Sequence, residues 1–339
     1  LEETLNNISF HEARYWKQLN DNQVQCELCP HKCIIPEERM GICGQRVNQG
    51  GKLYTLNYKR CCSANIDPIE KKPLYHFFPG SQILSVGTNG CNFACSFCQN
   101  HEISQAIVST VEVSSEMLIE KAKQENAIGI AFTYNEPVIW YEFVSDCARE
   151  FKKAGLKTVM VTNGYIEQEP LKEILPYIDA MNIDLKAFDN VFYQKLCKGT
   201  LAPVLDTIQT VAESGCHLEI TNLLIPCNND SKEHTKTLFS WVAAVNPDIP
   251  MHISRFFPRY KLKAPETSRS LLEKIWATAA KRLNYVYIGN LNDPKYNSTF
   301  CPKCSALLIE RSGYEVNLKI DKSLCPSCNC DIPIVLLNT

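Results

Sequence analysis

The sequence has no excess of basic charge. Its 35 Lys and Arg stand against 37 Asp and Glu, a formal net charge of -2, so the field that draws proteins non-specifically to phosphate backbones has no source here. Long apolar runs are missing as well. The longest uncharged stretch, Phe77 to Asn100, is broken by Gly, Asn, Ser, Gln and Cys and so excludes a membrane-spanning helix. The opening LEETLNNISFHEARYWKQL lacks the basic start and apolar core of a secretory leader, and a cytoplasmic protein is expected. There is no glycine-rich phosphate loop, no His-Glu-x-x-His and no Gly-x-Ser-x-Gly, which leaves hydrolase readings unsupported. With 45% hydrophobic and 21% charged residues, disordered and coiled-coil readings also fall away. The 339 residues suggest about two domains.

What the chain does have is cysteine. Eighteen are many for a cytosolic enzyme and too dilute for a small disulfide scaffold, and eleven sit in three compact groups, the pattern of metal binding. The groups are Cys26, Cys29, Cys33 and Cys43; Cys91, Cys95 and Cys98; and Cys301, Cys304, Cys325 and Cys328. The central group, in GTNGCNFACSFCQN, holds three thiols within eight residues and no fourth Cys until Cys147. A structural zinc would want four protein ligands, whereas a 4Fe-4S cluster held by three thiolates leaves one iron open to a small molecule. Asn89, Gly90, Asn92 and Ser96 supply a backbone that can turn tightly and aim N–H groups at sulfur.

At these residues the sequence resembles the radical S-adenosylmethionine (SAM) superfamily, whose mark is three Cys with three and then two intervening residues and an aromatic, here Phe97, before the last. The resemblance implies that the open iron chelates the methionyl amine and carboxylate of SAM. It also implies that one-electron reduction releases a 5'-deoxyadenosyl radical, which abstracts a substrate hydrogen.

From Ile83 to Tyr287, short apolar runs alternate with amphipathic stretches, as in parallel strands joined by crossover helices. Strands are expected at ILSVGT (Ile83), IGIAFT (Ile128), KTVMVT (Lys157), AMNIDL (Ala180), LEITNLL (Leu218), MHIS (Met251) and YVYIG (Tyr285). Six or seven β/α units point to an α/β fold with an open barrel, and the superfamily's partial (β/α)6 barrel fits this count. Segment 1–82 is then a Cys-rich N-terminal piece, 83–290 the barrel and 291–339 a zinc-ribbon-like domain. After Pro137, the residues Ile139, Phe143, Cys147 and Phe151 recur every fourth position and predict a helix that Gly155 stops.

Chemistry in β/α barrels sits at the carboxyl ends of strands, so the polar residues after each run are the candidates. Asn135 and Glu136 occupy the place of the superfamily's Gly-Gly-Glu, where a carboxylate can accept from the methionyl ammonium or cap a helix. Asp184 and Lys186 alternate with Leu185 and share one side, able to meet a ribose hydroxyl and a carboxylate or to pair with each other. Asn163 can bond ribose or hold its Asn-Gly turn. His252 and Arg255 can face adenosine or substrate, a buried hydrogen-bonded His being the alternative. Cys147, Cys197, Cys216 and Cys227 have no ligand spacing and read as packing.

FCPKCS and LCPSCN are two Cys-x-x-Cys knuckles that bring Cys301, Cys304, Cys325 and Cys328 around one tetrahedral ion, zinc in preference to iron, with Cys330 as a competing ligand. Cys26, Cys29, Cys33 and Cys43 form one four-thiolate site for zinc or a second cluster, with His31 as a replacement ligand. CELCPHKC, DPIEKKPLYHFFPGS, FTYNEP, NIDLKAF and HISRFFPRY together resemble the radical SAM enzymes of the AmmeMemoRadiSam system, relatives of the pyruvate formate-lyase activating enzymes. Ser305 and Asn329 replace the Gly that follows each knuckle in that family. The resemblance implies an activating-enzyme-like oxidoreductase with SAM as cosubstrate, a flavodoxin- or ferredoxin-type electron donor and a substrate it does not identify, whether a protein, an RNA or a small molecule. A glycyl-radical activase is one form of this; an iron-sulfur electron carrier without catalysis is the alternative from another class.

Overall fold

The computed structural model describes residues 11–337; residues 1–10, the start of the stretch read as lacking a secretory leader, and 338–339, which end the C-terminal segment, lie outside the described residues. All seven apolar runs form strands of one sheet. In chain order its members are β1 (Ser63–Pro68), β2 (Gln82–Gly87), β3 (Gly129–Phe132), β4 (Lys157–Thr162), β5 (Ala180–Asp184), β6 (His217–Leu224), β7 (Met251–Arg255) and β8 (Val286–Gly289), each beside the next. Strands β2 to β8 are parallel, and β1 lies antiparallel on the edge of β2. Every residue of β3 and all but the last of β5 are buried, as the sheet's helix-covered faces require. The sheet ends at β1 and β8, so the barrel is open.

Six crossovers join the parallel strands, carrying helices α1 (Ser115–Gln124), α2 (Tyr141–Lys153), α3 (Gln168–Ile174), α4 (Ala202–Ser214), α5 (Lys232–Val245) and α6 (Arg269–Ala279). Serines cap three of them: Ser114, Ser231 and Ser268 accept from the backbone N–H three residues on. The apolar stripe Phe143, Cys147 and Phe151 of α2 is buried, with Ile139 in the turn before it. Gly155 ends that helix at φ +74°. Cys147 packs in this core.

Strand β1 lies inside the segment read as purely Cys-rich. Its sequence SANIDP has no apolar run, because an edge strand with exposed Ala64 and Asn65 needs none. Before it, residues 11–55 build two three-stranded antiparallel sheets. They are tied to the barrel by Arg46, whose Nη2 donates to Glu142 Oε1 of α2 at 2.5 Å, with both side chains buried. After β8 comes a small sheet of β9 (Thr299–Phe300), β10 (Leu307–Ser312) and β11 (Glu315–Leu318). Buried Arg311 of β10 anchors it, donating to the Tyr75 carbonyl at 2.7 Å and Thr299 Oγ1 at 2.9 Å, with Glu70 3.6 Å away. Among the described residues no helix is long and apolar enough to cross a membrane.

Candidate active site

The loop that follows β2 carries Cys91, Cys95 and Cys98. Its backbone is clamped on two sides. Ala94 N and Ser96 N donate to the carbonyls of Cys197 and Leu196, both at 2.9 Å, while Ser96 O accepts from Lys261 N and Leu262 N. Gly90 stands at φ +92°, and a Cβ there would lie 2.6 Å from the Cys43 carbonyl oxygen, so only glycine lets the loop approach the N-terminal segment this closely.

The three sulfurs sit among donors. Cys91 Sγ accepts from Phe93 N at 3.3 Å and has Asn163 Nδ2 at 3.8 Å; Cys98 Sγ lies 3.1 Å from Ser104 Oγ. Burial holds the Cys91 thiol well above its ordinary range, with the Glu136 carboxylate and Cys95 adding to it. Burial also raises Cys98, whereas a hydrogen bond from the Cys197 thiol, with Lys186 nearby, lowers Cys95. Thiols this close that destabilise one another's charge, ringed by N–H and O–H donors, are a donor set that fits an iron-sulfur cluster.

The carboxyl ends of the neighbouring strands bring polar groups to this loop. After β3, Asn135 braces it: Nδ2 donates to Gly90 O at 2.7 Å and Oδ1 accepts from Thr88 N at 3.2 Å. Glu136 is 1% exposed and accepts from Val138 N (3.0 Å) and Thr162 Oγ1 (2.6 Å) on Oε1 and from Asn163 N (2.7 Å) on Oε2. It is therefore a helix cap, and Oε2 keeps a lone pair for a further donor. Burial outweighs these bonds and pushes its carboxyl up to about 7. Tyr134, standing where the superfamily has glycine, takes φ +72°, and its hydroxyl is tied to Asp67 at 2.7 Å.

After β4, Asn163 links the Cys91 sulfur to Asn92, donating to Asn92 Oδ1 at 2.8 Å, while its own Oδ1 holds the turn through Tyr165 N. At the end of β5, Lys186 Nζ pairs with Asp184 at 2.9 Å. Burial alone would lower the Lys186 ammonium, but Asp184, Cys95 and Cys197 override it and hold the charge. Nζ lies 6.0 Å over the ring of buried Phe97. The fold thus gathers Cys91, Cys95, Cys98, Phe97, Asn135, Glu136, Asn163, Asp184 and Lys186 around one loop.

Two candidates do not join them. His252 is the second residue of β7, near its amino end, and its Nε2 pairs with buried Glu219 at 2.6 Å beneath Tyr75 and Tyr287. Arg255 is at the right end of β7 but turns toward Thr267 O and Glu266 and lies over Phe257. Other residues enter that sequence reasoning passed over. Cys197, read as packing, stands beside Cys95 and lowers its thiol; it ends the wide helical turn Tyr193–Cys197, and no spacing rule could have tied it to the loop. Asn222 and Asn229 both donate to the Lys186 carbonyl, at 3.1 and 2.8 Å, and Asn229 stands in the LLIPCNND segment that the sequence did mark.

Of the flanking groups, Cys26, Cys29, Cys33 and Cys43 line one cavity with His31, Arg46 and Asn92. At the other end, the sulfurs of Cys301, Cys325, Cys328 and Cys330 all lie within 4.8 Å of one another. Cys304 Sγ is 3.6 Å from Cys325 Sγ, so five thiols converge where four were counted as ligands. The knuckles repeat each other: Cys301 N bonds Ala306 O as Cys325 N bonds Cys330 O. Cys330 thus occupies the position of Ala306. Ser305 and Asn329 both adopt left-handed backbone, at φ +61° and +55°, where the family has glycine.

Comparison with known proteins agrees with this geometry. The chain is 43% identical to the uncharacterized protein MJ0808 of Methanocaldococcus jannaschii, over 96% of this chain and 99% of that protein. It is 26% identical to the pyruvate formate-lyase-activating enzyme of Clostridium pasteurianum over 155 residues, 44% of this chain and 64% of that enzyme. The solved structure of HydG, a maturase of the FeFe-hydrogenase, shares the fold at 13% identity with a TM-score of 0.50, over 65% of this chain and 53% of that one. Residues 85–239, from β2 into α5, match the Radical SAM superfamily, and this part of the chain is a Radical SAM domain.

Proposed function

We propose that this chain is an enzyme that reductively cleaves SAM and abstracts a hydrogen atom from a protein substrate, in the manner of the activating enzymes it resembles and within the AmmeMemoRadiSam group. The observation that carries this is the convergence of Cys91, Cys95 and Cys98 with Glu136, Asn163 and the Asp184–Lys186 pair at one end of the sheet. Cys91, Cys95 and Cys98 would hold the 4Fe-4S cluster. When bound, that cluster supplies one electron and a vacant iron coordination position.

The chain's own residues do the rest. Glu136 Oε2 is placed to accept from the methionyl amine, Lys186 to meet the carboxylate and Asp184 to accept from a ribose hydroxyl, while Phe97 packs beneath them. In the overall step, one electron from a flavodoxin- or ferredoxin-type donor breaks a sulfonium carbon–sulfur bond. Methionine leaves, and the adenosyl carbon takes a hydrogen atom from the substrate, giving 5'-deoxyadenosine and a substrate radical. A zinc ion in the C-terminal five-thiol site would have a structural role, and eighteen free cysteines suit a reducing cytoplasm.

The test is anaerobic reconstitution with iron and sulfide, reduction with dithionite and addition of SAM. Release of 5'-deoxyadenosine that the Cys91→Ala/Cys95→Ala/Cys98→Ala variant lacks is the expected result. Iron-loaded, reduced protein that leaves SAM intact overturns the reading.

A further inference from the structure

The three cysteine groups differ in how far apart they hold their sulfurs. Four thiolates around one zinc at about 2.3 Å form a tetrahedron with edges of about 3.8 Å. The C-terminal thiols meet that demand, with contacts of 3.3 to 3.6 Å. Among the described residues theirs is the only set of three or more such ligand atoms within 4.8 Å of one another. Cys26, Cys29, Cys33 and Cys43 instead stand around a largely apolar cavity, and no three of their sulfurs lie within 4.8 Å of one another. Cys91, Cys95 and Cys98 show the same wider spacing. A cubane places the body of the cluster between its thiolates and calls for this separation.

The cavity has further marks of a cluster site. Arg46, which lines it, is 1% exposed; its Nη1 lies 3.9 Å from Cys26 Sγ, and its Nε has no partner. The guanidinium, paired with Glu142 on one side, keeps its Nε–H free for a sulfide. His31 also lines the cavity, with its Nε2 2.7 Å from the Asn92 carbonyl oxygen.

The geometry points to a second 4Fe-4S cluster in the N-terminal segment, ligated by Cys26, Cys29, Cys33 and Cys43 and sharing a wall with the SAM-cleaving site. That wall flanks Cys91 on both sides: Gly90 packs on the Cys43 carbonyl, and Asn92 both lines the cavity and bonds Asn163. The adjacency, though not the cluster, rests on the function proposed for Cys91, Cys95 and Cys98.

Metal and sulfide analysis of the anaerobically reconstituted full chain decides the matter. Wild type is expected to carry about eight iron and one zinc, and Cys91→Ala/Cys95→Ala/Cys98→Ala about four iron with a reduced-cluster paramagnetic signal indifferent to SAM. Cys26→Ser/Cys33→Ser should lose the complementary four iron and keep the SAM-responsive signal. If that variant fails to fold, the triple variant still decides. Wild type with about four iron and two zinc, and a triple variant with none of the iron, overturn the inference while leaving the radical site standing. About four iron in both wild type and triple variant would instead count against the radical site and uphold the N-terminal cluster.

Discussion

Glu136 shows how one side chain serves structure and chemistry together. Its carboxylate caps the turn that leads into α2, fixes Thr162 and Asn163, and still has an acceptor position to offer. Burial pushes the carboxyl up from 4.5 to about 7, so it is neutral below that pH and charged above it. The charged carboxylate is the stronger acceptor for the N–H of a methionyl amine. SAM affinity, measured by equilibrium dialysis on the reconstituted protein, should rise with pH between 6 and 8, by up to about tenfold per unit below the midpoint, and Glu136→Gln should flatten the profile. Stability runs the other way. A carboxyl whose folded pKa is raised stabilises the fold most below about 4.5, and that contribution fades as pH climbs toward about 7. Cys197 tests the neighbouring thiol: if it is only a neighbour of Cys95, Cys197→Ala keeps the wild-type iron content and SAM response. At this scale the sequence was legible where strand alternation applies, as for Asp184 and Lys186. It was opaque where depth along the strand decides, as for His252, which points to the correct strand but lies at its far end against Glu219.

At the scale of elements, the apolar runs located all seven parallel strands, because a sheet buried on both faces needs unbroken hydrophobic stretches. Strand β1 had no such run and escaped. The turn Tyr193–Cys197 was equally hidden, yet it is the surface on which the cysteine loop rests. Gly199, just beyond it, sits so close to Phe93 of that loop that a Cβ would lie 2.2 Å from the ring. Gly199→Ala should therefore displace Phe93 and cost about 1–3 kcal/mol in urea unfolding, with a lower iron content per folded chain. An unchanged unfolding midpoint and full iron loading would show that the loop does not depend on this contact.

For the whole molecule, two buried arginines join the flanking segments to the barrel. Arg46 fastens the N-terminal sheets to α2 through Glu142, and Arg311 fastens the C-terminal sheet to the segment between β1 and β2. Neither was visible in sequence, since each partner lies far away in the chain and no local pattern marks it. Removing one member of such a pair strands the other charge. Arg46→Met should cost about 3–5 kcal/mol in chemical denaturation, and adding Glu142→Leu should recover much of that loss. Equal losses in the single and double variants would mean that Arg46 matters for its packing alone.

The claim on which the account depends is that three protein thiols, and no more, hold the central cluster. Electron paramagnetic resonance of the reduced protein, titrated with SAM, reads this directly. An altered signal that saturates at one SAM per chain is the predicted result. A signal identical with and without SAM, in protein whose Cys197→Ala variant then gains the response, would mean that Cys197 closes the fourth position and would contradict the account.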